Sequence, residues 1–347
     1  MKTETLKTTL PWQQESWNLA IKQFQGGKMS HAYMLRGAAD TGKRYFATRL
    51  AQFLLCRSPI ADSACGECSI CRLNEAGNNP DLLLIEAEDG GKVIKVDQIR
   101  ELKSFLETSS HAFGRRIIII DTAESLGISS ANALLKGLEE PPTDVLFLLL
   151  ADRPKAVLPT IASRCQIINL PKPVLWQSLA WLGEEINETT SELELLLELT
   201  QGHPFAARAM HRAGTSAQVQ EIGEGLLQLL QGGIPPLTLA ARYAKSQPAE
   251  VLRVLGFWLS SLTKYRLCGR QDLLKGATLK KAAMTFLGTA DEAVLPTRAL
   301  FSLYNAVTAA QGQLAGTANP NSQLMLEDLL LRLRELVQKE GTTRTLR

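Results

Sequence analysis

Residues His31–Arg44 read HAYMLRGAADTGKR. A short apolar run, His31–Arg36, leads into a glycine loop, and Lys43–Leu55 then places Tyr45, Phe46, Leu50, Phe53 and Leu54 at helical spacing. The order is strand, loop, helix. Gly37, Gly42 and Lys43 fit the phosphate-loop pattern G-x-x-x-x-G-K-[ST], in which backbone N–H groups cradle phosphates and the lysine reaches the terminal oxygens. The pattern ends in a hydroxyl that holds magnesium. Arg44 stands there instead, and a guanidinium cannot coordinate a cation.

Working outward, Leu82–Glu86 (LLLIE), Ile117–Ile120 (IIII) and Leu146–Leu150 (LFLLL) read as further strands, with helical stretches at Asp97–Thr108 and Ser130–Glu139 between them. Ser129 or Ser130 is placed to cap the second of these helices, and Pro141-Pro142 to end it. Strands aliphatic on both faces, alternating with helices, predict a parallel sheet covered on both sides. The stretch RIIIIDTAESL puts Asp121 where a magnesium carboxylate belongs at the end of such a strand. The next position calls for a glutamate that activates water. Thr122 occupies it, and a threonine hydroxyl has no basic form near neutral pH. Two losses of catalytic equipment therefore coincide.

Beyond Pro171 and Pro173 no strong strand signal recurs. Leu175–Leu182, Ser191–Thr200 and Pro204–Met210 form three short helical segments, and from about Ala213 the pattern is helical throughout, broken at Gly232-Gly233 and Pro235-Pro236. In the last helix Leu326, Leu329, Leu330, Leu333, Leu336 and Val337 make one apolar stripe, with Arg332, Arg334 and Glu335 facing away.

Cys56, Cys65, Cys68 and Cys71 fall within sixteen residues as C-x8-C-x2-C-x2-C. Two-residue gaps let thiolates converge on one ion, and four thiolates complete the closed tetrahedral shell of a structural zinc. A closed shell leaves no open position for catalysis. An iron–sulfur cluster is the other metal reading, but no redox partner motif accompanies the cysteines. A DNA-binding zinc module would call for more basic neighbours than Arg57 and Arg72. Cys165 and Cys268 stand alone and read as packing residues.

The 347 residues predict two or three domains. Apolar residues make up 45% and charged ones 21%, which fits a globular chain and excludes a disordered one. The run Val145–Ala151 is far too short to cross a bilayer, and the opening MKTETLKTTLPW lacks the apolar core of an export signal, so a cytoplasmic location is expected. With 38 basic and 35 acidic residues the net charge of +3 neither demands nor forbids nucleic acid.

Taken in order, HAYMLRGAADTGKR, the cysteine module, IIIIDTAESL, SSANALLKGLEEPP (129–142) and FLLLADRPKAVLPTIASRC (147–165) resemble the bacterial clamp-loader branch of the AAA+ ATPases. NPNSQLMLEDLLLRL is similar to that family's closing helix. The resemblance implies an α/β N-terminal RecA-like AAA+ domain over residues 1–170 with a zinc module at 56–71. A small helical lid domain at 171–213 and an all-α C-terminal collar domain at 214–347, through which subunits oligomerise, would follow.

It further implies a hetero-oligomeric loader of DNA replication, built with delta and gamma/tau subunits of DNA polymerase III, that places the beta sliding clamp on primer-template DNA. Motor subunits of the family carry a hydroxyl, a glutamate and a lid arginine where this chain has Arg44, Thr122 and Phe205, and Ala151 or Asp152 takes the place of a polar sensor. The implied role is a non-hydrolysing scaffold. Gly37, Gly42, Lys43 and Asp121 would form a degenerate nucleotide site, with ATP binding doubtful and hydrolysis not expected. Ser163-Arg164-Cys165 matches the family's arginine finger, so Arg164 would act in trans on the nucleotide of the adjacent subunit. An active gamma/tau-type ATPase is the alternative, kept open by Lys43 and Asp121. Asn132, Lys136 and Glu139 share one helix face, either as a contact for a neighbour or DNA or as a solvated polar face.

Overall fold

The computed structural model describes residues 8–88, 93–107, 115–270, 273–274, 277–287, 297–315 and 320–338. The chain divides into two compact units, one of Met1–Trp181 with His203–Phe205, the other of Leu182–Gly202 with Ala206–Arg347. The segment expected as a lid, 171–213, contributes to both units.

The first unit contains α1 (Gln14–Gln25), β1 (Ala32–Arg36), α2 (Lys43–Leu55), α3 (Ser69–Ala76), β2 (Leu82–Glu86), α4 (Val96–Glu107), β3 (Arg116–Asp121), α5 (Ile128–Glu139), β4 (Val145–Ala151), α6 (Pro159–Ala162) and β5 (Gln166–Asn169). The strands form one parallel sheet in the order β2-β3-β4-β1-β5. The aliphatic runs of the three central strands, β3, β4 and β1, are buried on both faces, as parallel pairing with helical crossovers requires. Tyr33, Leu35, Ile117, Ile119, Leu146 and Leu148 meet Trp17 of α1 and Phe46 and Leu50 of α2 on one face. Met34, Ile118, Ile120, Phe147 and Leu149 meet Leu102 of α4 and Leu134 and Leu138 of α5 on the other. Each such side chain contributes about 1.5–3 kcal/mol on burial. The side-chain period of two along each strand sorts the aliphatics to the two layers.

The strand β5 was not anticipated. It is an edge strand in which only Ile168 is buried, so its short run QIIN carries little apolar signal. The expected serine cap of α5 is also corrected. Gly127 is the N-cap residue and makes no side-chain cap bond, while the Ser130 hydroxyl donates to the Ile94 carbonyl at 2.7 Å. Thr108, expected as the end of α4, lies outside the described residues.

α7 (Leu175–Glu185) begins in the first unit. α9 (Pro204–Arg212) has its first two residues in the first unit and the rest in the second, which also holds α8 (Thr190–Leu199), α10 (Thr215–Gln231), α11 (Pro236–Tyr243), α12 (Pro248–Cys268), α13 (Ala277–Leu287), α14 (Thr297–Ala315) and α15 (Ser322–Gln338). No strand occurs among its described residues. A capping box between Thr189 and Glu192 starts α8. Gly256 lets α12 approach α14 closely, with Val307 and Gln311 at van der Waals distance of where a Cβ would stand. Leu326, Leu329, Leu330 and Leu333 of α15 are buried as the stripe predicts. Arg334 differs from expectation, because it turns inward and donates to the Leu229 carbonyl at the end of α10, supplying a cation to that helix C-terminus. Cys165 is buried as expected, but Cys268 is exposed at the end of α12.

No described helix is long and apolar enough to cross a membrane. The opening residues 1–7 lie outside the described residues.

Candidate functional site

The loop after β1 emerges beside the C-terminal end of β4, where open parallel sheets place their ligands. The Gly37 N–H donates to the Ala151 carbonyl at 3.2 Å, and a Cβ at position 37 would fall 2.7 Å from the Leu170 carbonyl oxygen. Gly42 is the N-cap of α2 with φ +92°, a conformation that L side chains rarely adopt. An added Cβ there would lie 2.5 Å from Leu10 and 2.8 Å from the Phe205 ring. Gly42→Ala is expected to lower the unfolding free energy by about 1–3 kcal/mol in urea titrations, the cost of a strained backbone position. An unchanged midpoint would contradict this crowding.

The chain's own side chains occupy this loop. The Trp12 indole donates to the Thr41 carbonyl at 2.9 Å, and the Gln13 amide donates to the Thr41 and Gly42 carbonyls at 3.1 Å each. Trp181 stacks on Phe205 at 4.7 Å and meets Trp12 edge-on at 6.0 Å, while Tyr45 lies 6.2 Å from Phe205. Phe205, in the place expected for a lid arginine, is thus part of an aromatic cluster beside the loop. Lys43 is only 5% exposed. Its ammonium donates to the Gly37 carbonyl at 3.0 Å and the Ala38 carbonyl at 2.6 Å, and forms an ion pair with Asp152. An ammonium has three protons, and three acceptors hold them.

Arg44 takes the position of a magnesium ligand and places a cation in that neighbourhood itself. Its Nε donates to Asp121 at 2.6 Å, and an Nη donates to Glu86. Glu86 and Asp121 are register partners at the ends of β2 and β3, which is why one guanidinium reaches both. Burial pulls the Arg44 pKa down, but the bonds and charges of Glu86 and Asp121 more than offset it and hold the pKa above its ordinary value. Burial pushes the Asp121 carboxyl up while Arg44 opposes that push. Thr122 meets the Ser125 hydroxyl at 3.0 Å. The nearby Glu124 carboxylate accepts the N–H groups of Asp152 and Arg153 at 2.9 Å each, so it braces the loop after β4.

Arg164 follows α6 on a different part of the same unit and is 35% exposed. Nη1 donates to the Thr160 carbonyl at 2.8 Å, and Nη2 pairs with Glu139 of α5 at 2.5 Å. The next residue, Cys165, is buried and packs into the core beneath α5 and α6, with its thiol pushed by burial to about 11. The arginine therefore stands on a fixed base. Asn132 and Lys136 are exposed on the helix that carries Glu139.

The four cysteine sulfurs lie within 4.8 Å of one another. Cys65 is 3.8 Å and Cys56 3.7 Å from Cys71, sulfur to sulfur. Four sulfurs about 2.3 Å from one tetrahedral ion would stand about 3.8 Å apart, so the set fits zinc. Backbone N–H groups of Cys65, Glu67, Cys68 and Cys71 point at neighbouring sulfurs at 3.3–3.5 Å, as thiolate ligands require. The Ser58 hydroxyl and the N–H groups of Glu67 and Cys68 lower the Cys65 thiol to about 6, whereas burial raises Cys56 and Cys71. A bound cation would overcome that burial cost by deprotonating the thiols. The loop between Cys56 and Cys65 is tied to α1 and α2 through Asp62, which accepts from the Trp17 indole at 2.8 Å, and Ser63, which accepts from Arg49 at 3.0 Å.

Residue patterns pointed to Lys43, Asp121, Arg164 and the cysteines but missed Glu86, Trp12, Gln13 and the pairing of Lys43 with Asp152. Glu86 closes the run LLLIE, and the rule that parallel strands end at the ligand side would have marked it. By residue pattern Glu139 reads only as part of a polar helix face.

The model of the family described as DNA polymerase III, delta subunit, matches residues 12–174. Over 324 residues the chain is 34% identical to a Pseudomonas aeruginosa protein named DNA polymerase III subunit delta', covering 92% of this chain and 96% of that one. An Escherichia coli protein of the same name is 27% identical, with 94% and 96% covered. A Bacillus subtilis DNA polymerase III subunit tau is 36% identical over 139 residues, which is 40% of this chain and 24% of that one.

Proposed function

We propose a role for this chain from one premise: it belongs to the family of DNA polymerase III delta' subunits. It acts in the clamp loader as a subunit that hydrolyses nothing itself. Its first unit carries a RecA-like AAA+ domain with a zinc module, residues 171–213 serve as the lid, and residues 214–347 form the collar that joins the ring. Gamma/tau and delta subunits are its neighbours, and through the ring it helps place the beta clamp on primer-template DNA in the cytoplasm. Arg164 is the finger offered to an adjacent ATPase site, where a positive charge stabilises the transferring phosphoryl group.

The observation that carries silence is the arrangement of Arg44 between Asp121 and Glu86. Magnesium would have to displace an ion-paired guanidinium from a half-buried site and find its hydroxyl ligand missing. Lys43, held by two carbonyls and Asp152, supports the same reading. The competing reading, an active gamma/tau-type ATPase, rests on Lys43 and Asp121 and on the likeness to a tau subunit over residues that cover less than half of this chain.

The purified chain is expected to show no magnesium-dependent ATP turnover and no saturable ATP binding in a fluorescence titration. Turnover that Lys43→Ala abolishes would overturn the silent reading.

A further inference from the structure

The geometry points to Glu139 as the positioning residue for Arg164, an inference that rests on the finger reading above. An arginine side chain carries about 2 kcal/mol of rotamer freedom, which must be surrendered if it is to meet a neighbour's phosphate in one pose. Here that freedom is already restricted. Glu139 holds Nη2 at 2.5 Å, the Thr160 carbonyl holds Nη1 at 2.8 Å, and the Ser163 hydroxyl lies 3.5 Å from Nη1.

The brace has a rigid foundation on both sides. Glu139 is the last residue of α5, whose Leu134 and Leu138 are buried under the sheet, and two prolines follow at 141 and 142. Arg164 sits between α6, anchored by buried Ile161, and buried Cys165. Five N–H donors belong to a guanidinium, and Glu139 and Thr160 engage two, so donors remain for a phosphate oxygen without releasing the brace. The half-exposed carboxylate also fixes direction. Without it the side chain keeps only the Thr160 and Ser163 contacts of its own turn.

A reconstituted loader tests this with a double-mutant cycle on DNA-stimulated ATPase. Glu139→Ala is expected to lower kcat roughly two- to fivefold, the size an exposed ion pair supports, with KM for ATP unchanged. Glu139→Gln, which keeps a hydrogen-bond acceptor, should recover part of that loss. In the Arg164→Ala background Glu139→Ala should change nothing further. An unchanged kcat for Glu139→Ala, or an equal loss in both backgrounds with the melting temperature held, would overturn the positioning role. A slow Arg164→Ala loader alongside that result leaves the finger reading standing. A wild-type Arg164→Ala rate removes the finger and the brace together.

Discussion

A loader reconstituted with Arg164→Ala in this subunit is expected to lose on the order of a thousandfold of the hydrolysis rate at the one site the finger serves. Removing the guanidinium leaves the developing charge on the phosphoryl group facing solvent or a methyl group, in a closed site where fixed charges act strongly. If the remaining sites draw their fingers from other subunits, the DNA-stimulated steady-state rate falls by about the share of the served site when sites fire independently, and further when they fire in sequence. Single-turnover measurements separate the two cases. Arg164 is 35% exposed and anchored through a surface pair, so the substitution should leave the melting temperature nearly unchanged, within the small worth of such pairs. A loss of rate without a loss of fold is the expected signature.

The second large effect concerns the cysteines. Cys71 is 1% exposed and its sulfur stands at 3.7 and 3.8 Å from two others, so Cys71→Ser removes the most buried of the four cysteines that could hold a metal ion. Structural zinc contributes on the order of 10 kcal/mol to the folding of small zinc-held peptides, comparable with the whole stability of many domains. Metal content is expected to fall from one zinc per chain to near zero, with loss of hydrogen-exchange protection over residues 56–76. Because Asp62 holds the Trp17 indole, chelation should also shift tryptophan fluorescence. A natively folded wild-type sample with no metal would sink the zinc assignment.

The sheet was readable wherever burial is two-sided. IIII and LFLLL fall inside β3 and β4, whose aliphatics are buried and have no other way to be satisfied, and KRYFATRLAQFLL became α2 with its expected bounds. LLLIE became β2 although its edge position leaves its three leucines only partly buried. The edge strand β5 escaped for the opposite reason, with three of its four residues exposed. The helix α1 carries a weak signal, since only Trp17, Ala20 and Ile21 of its twelve residues are buried and most of the rest are polar.

At the site, residue types gave the losses but not their replacements. Arg44 read as a missing hydroxyl; the parallel register that sets Glu86 beside Asp121 makes it a clamp between two strand ends. Lys43 read as a phosphate ligand, yet its partners come from the loop's own carbonyls and from Asp152 more than a hundred residues away. Such pairings depend on three-dimensional register, which no local pattern encodes. Glu139 and Arg164 illustrate the same limit, since each belongs to a recognisable stretch and only the packing of α5 against α6 joins them.

One comparison bears on all of this at once: DNA-stimulated ATPase of the reconstituted loader with Lys43→Ala and, separately, Arg164→Ala in this subunit. A silent subunit that donates a finger predicts a wild-type rate for Lys43→Ala and a reduced rate for Arg164→Ala. The reverse pattern, loss with Lys43→Ala and none with Arg164→Ala, would make this chain a working ATPase and contradict the role assigned to it.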